Sequence, residues 1–104
     1  MSTVGQARAR RMLAERSGGV CETCRSARAS DYQHRVNRSQ GGGWQLSNAL
    51  HLCHDCHMWI HRNPNTANKR GWHLKSWQSP AESPALLGHA WVLLTDDGSM
   101  EVTA

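Results

Sequence analysis

Two Cys-x-x-Cys turns, Cys21 to Cys24 and Cys53 to Cys56, use every cysteine in the chain. A turn of this spacing offers two thiolates to one ion, and two such turns complete the four-sulfur tetrahedron that zinc prefers. A structural zinc on Cys21, Cys24, Cys53 and Cys56 is therefore expected. The chain needs such a staple: of its 104 residues 38% are apolar and none is Phe, which allows one domain with a marginal core. Apparent zinc-binding energies of about 10–16 kcal/mol in small peptides match or exceed the ~5–15 kcal/mol total stability of a typical domain. The sequence shows neither an N-terminal apolar run nor a stretch of ~18 apolar residues able to span a membrane. The expected compartment is the cytoplasm, where paired cysteines hold metal more often than they form disulfides.

The segment between the two pairs is longer than the ~15–20 residues usual in a plain zinc ribbon. It contains His34, three consecutive glycines (Gly41, Gly42 and Gly43) and Asn48. Around it the pattern predicts an α+β fold. A helix over 4–16, with a weak apolar face of Val4, Ala7 and Met12, stops at Gly18-Gly19; this segment is either a helix or a basic arm. Strands are expected at 31–36 and 49–52, separated by the glycine loop. A helix follows over 54–62, closed by Asn63-Pro64. Beyond it come a short helix over 64–70, a strand over 72–77, and a hairpin pairing 91–94 with 100–102 across Asp97-Gly98. The implied organisation is a basic helix or arm at 1–18, a metal-bound domain at 19–75, and an acidic extension at 76–104.

All twelve Lys and Arg lie between Arg8 and Lys75, a stretch that contains only four acids. The other four, Glu82, Asp96, Asp97 and Glu101, follow it. A positive body of this kind fits a polyanionic partner, because each phosphate contact releases counterions. The five tryptophans could stack on bases; the reading preferred for Trp59 and Trp72 is core packing in place of the missing Phe.

His57 and His61 stand four residues apart, so on a helix they share a face. Cys56 is rotated about 100° from His57. Thiolate and imidazoles then point to different sides, which argues for two metals on one short helix. The plain alternative is a pair of solvent-facing histidines.

Taken together, Cys21-x-x-Cys24, His34, Gly41-Gly42, Asn48, Cys53-x-x-Cys56-His57 and His61 resemble the HNH endonucleases, more narrowly the small HNH proteins of bacteriophages and prophages. The resemblance covers roughly 19–62. It implies a small ββα-metal (His-Me) finger that hydrolyses phosphodiester bonds of double-stranded DNA. His34 would be the general base, and Asn48 would fix its presentation. His57, together with His61, would carry one divalent ion (Mg²⁺, Mn²⁺, Ni²⁺ or Zn²⁺). Gln33 stands where the family usually has Asp or His as a further ligand; a neutral amide is a weaker one, and Asp31 is the fallback. Arg35 and Arg38 would contact DNA, with Arg38 the better placed. If the chain is phage-encoded, the compartment is the host bacterial cytoplasm, and the acidic extension would face a packaging protein. No membrane partner and no small-molecule cofactor beyond metals is implied. The rival readings are a non-catalytic zinc-bound nucleic-acid module and a phage adaptor.

Overall fold

The first buried stripe lies on a helix whose sequence barely announces it. In the computed structural model, which describes residues 5–103, α1 runs Gln6–Ser17. Val4, expected to begin its apolar face, lies outside the described residues. The stripe is Ala9, Leu13 and Ser17, at the i, i+4, i+8 spacing of one helix face. Ala7 is exposed, and Met12 packs only at the margin. Gly18 ends the helix in the left-handed region (φ 66°), its N–H donating to Ala14 O. The expected glycine stop is thus observed, and 6–17 is a docked helix.

An antiparallel hairpin carries the central motif. Strand β1 (Asp31–His34) pairs with β2 (Ala49–Leu52), in a register that sets Asp31 opposite Leu52 and His34 opposite Ala49. β1 is two residues shorter than expected at its C-terminal end. Between the strands the chain makes two single turns of 3₁₀ helix, Arg38–Gln40 and Leu46–Asn48. Helix α2 (His54–Arg62) follows β2 directly, and α3 (Pro64–Lys69) begins on Pro64, whose missing N–H costs nothing at a helix start. The segment 72–77, expected as a strand, is irregular. Trp72 there is buried and donates its indole N–H to Leu86 O, whereas Trp77 is 80% exposed.

The acidic extension holds three strands rather than two. β3 (Ala85–Leu87), β4 (Ala90–Leu94) and β5 (Met100–Val102) form an antiparallel sheet in that order. The expected hairpin is β4–β5; β3 was not foreseen. Leu87, Val92 and Leu94 share one core with Leu50, Leu52, Ile60 and Trp72. Asp96 accepts the backbone N–H of Ser47, so one of the tail acids is used within the fold.

Two buried arginines cross-link these parts. Arg16 of α1 holds Glu22 through two nitrogens (2.8 Å each) and also reaches Leu46 O and Ala49 O. The two side chains are 2% and 0% exposed. Arg35, expected to contact DNA, is fully buried, and its guanidinium donates to the carbonyls of Gly71, Ser47, Pro80 and Ser83. It has no surface to offer a phosphate. Burial, then the neighbouring Arg16, lowers its pKa to about 10, which leaves it charged at neutral pH. It ties the end of β1 to the glycine at 71 and to the Pro80–Glu82 turn. Removing one member of a buried pair strands the other charge, at a cost of about 3–5 kcal/mol. Glu22→Gln is therefore expected to lower unfolding stability by that amount in urea titration; a loss below about 1 kcal/mol, the range of exposed pairs, would refute the cross-link.

Candidate metal centre and histidine site

The four cysteines meet. Their sulfurs all lie within 4.8 Å of one another, which a single ion can span at zinc–sulfur distances of about 2.3 Å. The first pair sits on the tight turn after Val20, where Cys21 N–H donates to Ala27 O and Arg25 N–H to Cys21 O. Arg25 takes a positive φ of 60° to close that turn. The second pair straddles the end of β2 and the start of α2, with Cys53 as the helix N-cap. The four can hold a structural metal such as zinc. Their acidities differ. Burial pushes Cys21 up, but the Thr23 hydroxyl and the backbone near Cys24 and Cys53 outweigh it and bring the thiol to about 6. Burial raises Cys56 to about 12. A divalent cation would make all four thiolates, since ligation requires the deprotonated sulfur.

Four of the seven histidines lie at two places on either face of β1. On one face of β1, Asp31 accepts Nδ1–H of His57 (2.8 Å) and, more loosely, Nδ1–H of His54 (3.3 Å), while Ser30 donates to its other oxygen. Burial raises the Asp31 pKa, but the bonds from His57, Ser30 and His54 outweigh it and hold the carboxyl below its ordinary value. With Nδ1 protonated, His57 Nε2 is left as the lone-pair nitrogen, turned toward His61, the carboxylate–imidazole arrangement that commonly orients a metal ligand. His61 Nε2 stands 3.1 Å from His57 Nε2. Two imidazole nitrogens on one ion at about 2.0–2.1 Å each are separated by this much when the angle lies between square and tetrahedral. The pair thus fits a divalent ion, with two ligands. Asp31 stands behind His57 and not beside the free nitrogens. Among the described residues, the cysteine cluster is the one group of three or more metal-capable side chains.

Gln33, expected as a further ligand, is 3% exposed on the same side of β1 as Asp31. It makes no hydrogen bond to His57 or His61 among the described residues, and its Nε2 is buried without a partner. Asp31, the fallback, is the residue that reaches His57, as an orienting group.

On the other face of β1, His34 lies against Tyr32 and Trp44, its ring centroid 5.1 Å and 4.5 Å from theirs. Its Nδ1 is 3.0 Å from Gly43 O. A carbonyl only accepts, so Nδ1 carries the proton and Nε2 is left as a base. Asn48, fully buried, holds the loop that supplies this carbonyl. Its Oδ1 accepts Val36 N–H, and its Nδ2 donates to Val36 O and to Gly43 O. Gly42 is needed beside it: a Cβ there would stand 1.8 Å from Val36 O. Burial, with Arg38 and Arg10 nearby, lowers the His34 pKa despite the Gly43 bond. Arg38 is exposed, its guanidinium over the Trp44 ring at 5.3 Å.

Sequence reasoning missed Arg10, which lies over both Tyr32 and Trp44; nothing in its spacing marks it out, because the contact depends on how α1 docks. It also missed the Asp31–His57 bond. His51 packs, with Nδ1 2.6 Å from Ser17 Oγ. Trp59, expected in the core, is 36% exposed and meets Trp72 edge-on. Among the described residues no helix is long and apolar enough to cross a membrane. No protein-family model, curated protein or solved structure matches the chain.

Two outcomes follow from this geometry. The purified protein is expected to contain about one zinc per chain, and Cys53→Ser or a strong chelator to unfold it, since metal binding and folding share one free energy; a metal-free chain with an unchanged melting curve would exclude the staple. His34, His51 and His73 are all held below the ordinary value of 6.5, in each case chiefly by burial. As the pH falls through 6.5 the unfolded chain takes up protons that the folded chain refuses, so stability is complete above that value and declines below it. The melting midpoint should therefore drop between about pH 7.5 and about pH 6 with bound zinc unchanged; a midpoint that rises over this window would contradict the burial of these rings.

Proposed function

We propose that this chain is a small HNH-type ββα-metal nuclease that hydrolyses phosphodiester bonds in double-stranded DNA. One observation carries the reading. His34 is an imidazole whose pKa burial lowers, with its Nδ1 anchored on a loop that Asn48 holds, its Nε2 without a hydrogen-bond partner among the described residues, and guanidinium groups beside it. A structural ribbon has no use for a base prepared in this way.

In the proposed reaction His34 Nε2 takes a proton from water as the water oxygen attacks phosphorus. The P–O3′ bond breaks and the departing O3′ takes a proton from solvent water, leaving 5′-phosphate and 3′-hydroxyl ends. A lowered pKa keeps the base unprotonated at neutral pH, where general-base catalysis contributes typically 10²–10⁴-fold. His57 and His61 would hold a divalent cation that supplies charge stabilisation at the phosphate and the leaving oxygen. Asp31 would keep His57 in the ligating tautomer. The basic surface would hold the duplex, with Arg38 in contact.

The second reading, a zinc-bound nucleic-acid binder without turnover, is favoured by two observations. His34 and the Asp31–His57 pair lie on opposite faces of β1, and the helix pair offers two ligands without a third at the ion's side. For hydrolysis, one phosphate has to bridge both groups around the end of the strand. An adaptor function has no geometric support beyond the folded acidic tail.

Supercoiled-plasmid nicking with Mg²⁺, Mn²⁺ or Ni²⁺ separates these readings. Wild type is expected to nick, and His34→Ala to lose about 10²–10⁴ in rate with an unchanged melting curve. The acid limb of the wild-type pH–rate profile should fall below the ordinary histidine value of 6.5. Equal cutting by wild type and His34→Ala, or no cutting by either, would remove the enzyme and leave the binder.

A further inference from the structure

The contacts around Trp44 give α1 a role that its sequence did not suggest. Arg10 stands over the Trp44 ring at 5.4 Å and over the Tyr32 ring at 5.6 Å. Arg38, from the 3₁₀ turn that follows β1, stands over Trp44 at 5.3 Å. His34 presses its ring against the same indole at 4.5 Å. Three cationic or titratable groups from separate parts of the chain thus share one aromatic platform. Tyr32 fixes that platform by donating its hydroxyl to Trp44 O.

Both guanidiniums keep their donors. Among the described residues neither Arg10 nor Arg38 has a carboxylate partner; the guanidinium paired with an acid is that of Arg16. Stacking on a ring face engages the π surface and leaves the in-plane N–H groups open to a planar, bidentate acceptor. The two residues are also exposed, unlike Arg16 and Arg35, whose side chains are consumed inside the fold. Arg10 is not on a loose arm. It follows Ala9 and precedes Leu13 by one turn, and both are buried against Leu46 and Ala49. The Arg16–Glu22 pair then locks the last turn of the helix to the first cysteine pair. A helix held at these points fixes where Arg10 leaves the backbone, beside Tyr32 and Trp44.

We propose that Arg10 of α1 and Arg38 form a two-pronged clamp for a DNA backbone phosphate on the Trp44 platform beside His34. The ligand chemistry is a phosphodiester and not a base: the donors are guanidinium forks suited to a phosphate's oxygens, and both guanidiniums already lie over the Trp44 ring on which a base would stack. Phosphate contacts of this kind position the duplex and carry no sequence information. The clamp deepens the nuclease reading and rests on it for its place in a reaction, but binding alone reveals it.

The test is the salt dependence of duplex binding by the full-length zinc-loaded protein. Fluorescence anisotropy on two duplexes of unrelated sequence compares wild type, Arg10→Met and Arg10→Gln. Methionine keeps apolar contact with the rings and removes the charge, and glutamine serves if methionine perturbs the melting curve. Loss of one phosphate contact lowers the slope of log K against log salt by about one. The ratio of Kd at about 200 mM salt to Kd at about 50 mM should then fall about 3.5-fold, equally on both duplexes, with melting unchanged. An unchanged slope overturns the clamp even if the plasmid is nicked. A reduced slope in a protein that never nicks keeps the clamp and removes the nuclease. A change confined to one duplex overturns it in favour of base reading, and no duplex binding at low salt overturns both.

Discussion

The geometry of the whole chain depends on bringing four sulfurs from two distant turns to one point. Cys21 and Cys24 come from a turn that leaves α1, and Cys53 and Cys56 from the junction of β2 and α2. Joining them closes a long loop, and the loop-closure entropy that an ion offsets in this way is large for a chain with so small a core. The consequences spread from Glu22, the residue inside the first pair. Its carboxylate accepts from Arg16 and from His51 N–H, and its N–H donates to His51 O. The sulfur cluster, α1 and β2 therefore share one buried polar joint.

A second constraint is the use of guanidinium groups as interior cross-links. Arg35 takes four backbone carbonyls, two on single turns of 3₁₀ helix (Ser47 and Pro80) and two on irregular segments (Gly71 and Ser83). Those carbonyls would otherwise be buried acceptors, each expensive to leave unpaired. One charged side chain thus does for the 71–83 region what a hydrogen-bond ladder does for a strand. It explains how a chain without Phe, and with an irregular connection after α3, holds its C-terminal sheet on the core. It also reapportions the positive charge. Two of the arginines that contribute to the net +4 are internal, and the exposed positive charge comes from others, Arg10 and Arg38 among them.

The histidines show the same division of labour at finer scale. Each is given its tautomer by an acceptor at Nδ1: a carbonyl for His34 and a carboxylate for His57. A neutral acceptor beside two guanidiniums suits a base that stays unprotonated; an anionic one suits a ring that donates its lone pair to a cation. The alternation of β1 sends them to opposite sides of the strand, His57 to Asp31 at its first residue and His34 at its last. That end is where the glycine loop and the Arg10–Trp44–Arg38 group lie.

Spacing along the chain was enough to reveal the cysteine cluster, the hairpin and following helix, the Gly18 stop and the β4–β5 hairpin. Each of these depends on neighbours a few residues apart, or on four side chains of one chemistry that have no other use. The shared face of His57 and His61 belongs with them, because helical periodicity is local. What the sequence could not disclose were the long-range partners. Arg35 and Arg38 are three residues apart and equally basic, yet one is buried under four carbonyls and the other is exposed on an indole. Gln33 and Asp31 point the same way from β1, and only the docking of α2 decided that the carboxylate meets His57 while the amide is buried. Ala9 and Leu13 became the inner face of α1, and Arg10 came to Trp44, only once the helix had packed. An arginine or a carboxylate has the same local signature whether it faces water or a cage of carbonyls. The choice between them is made by burial, and burial is a property of the assembled chain.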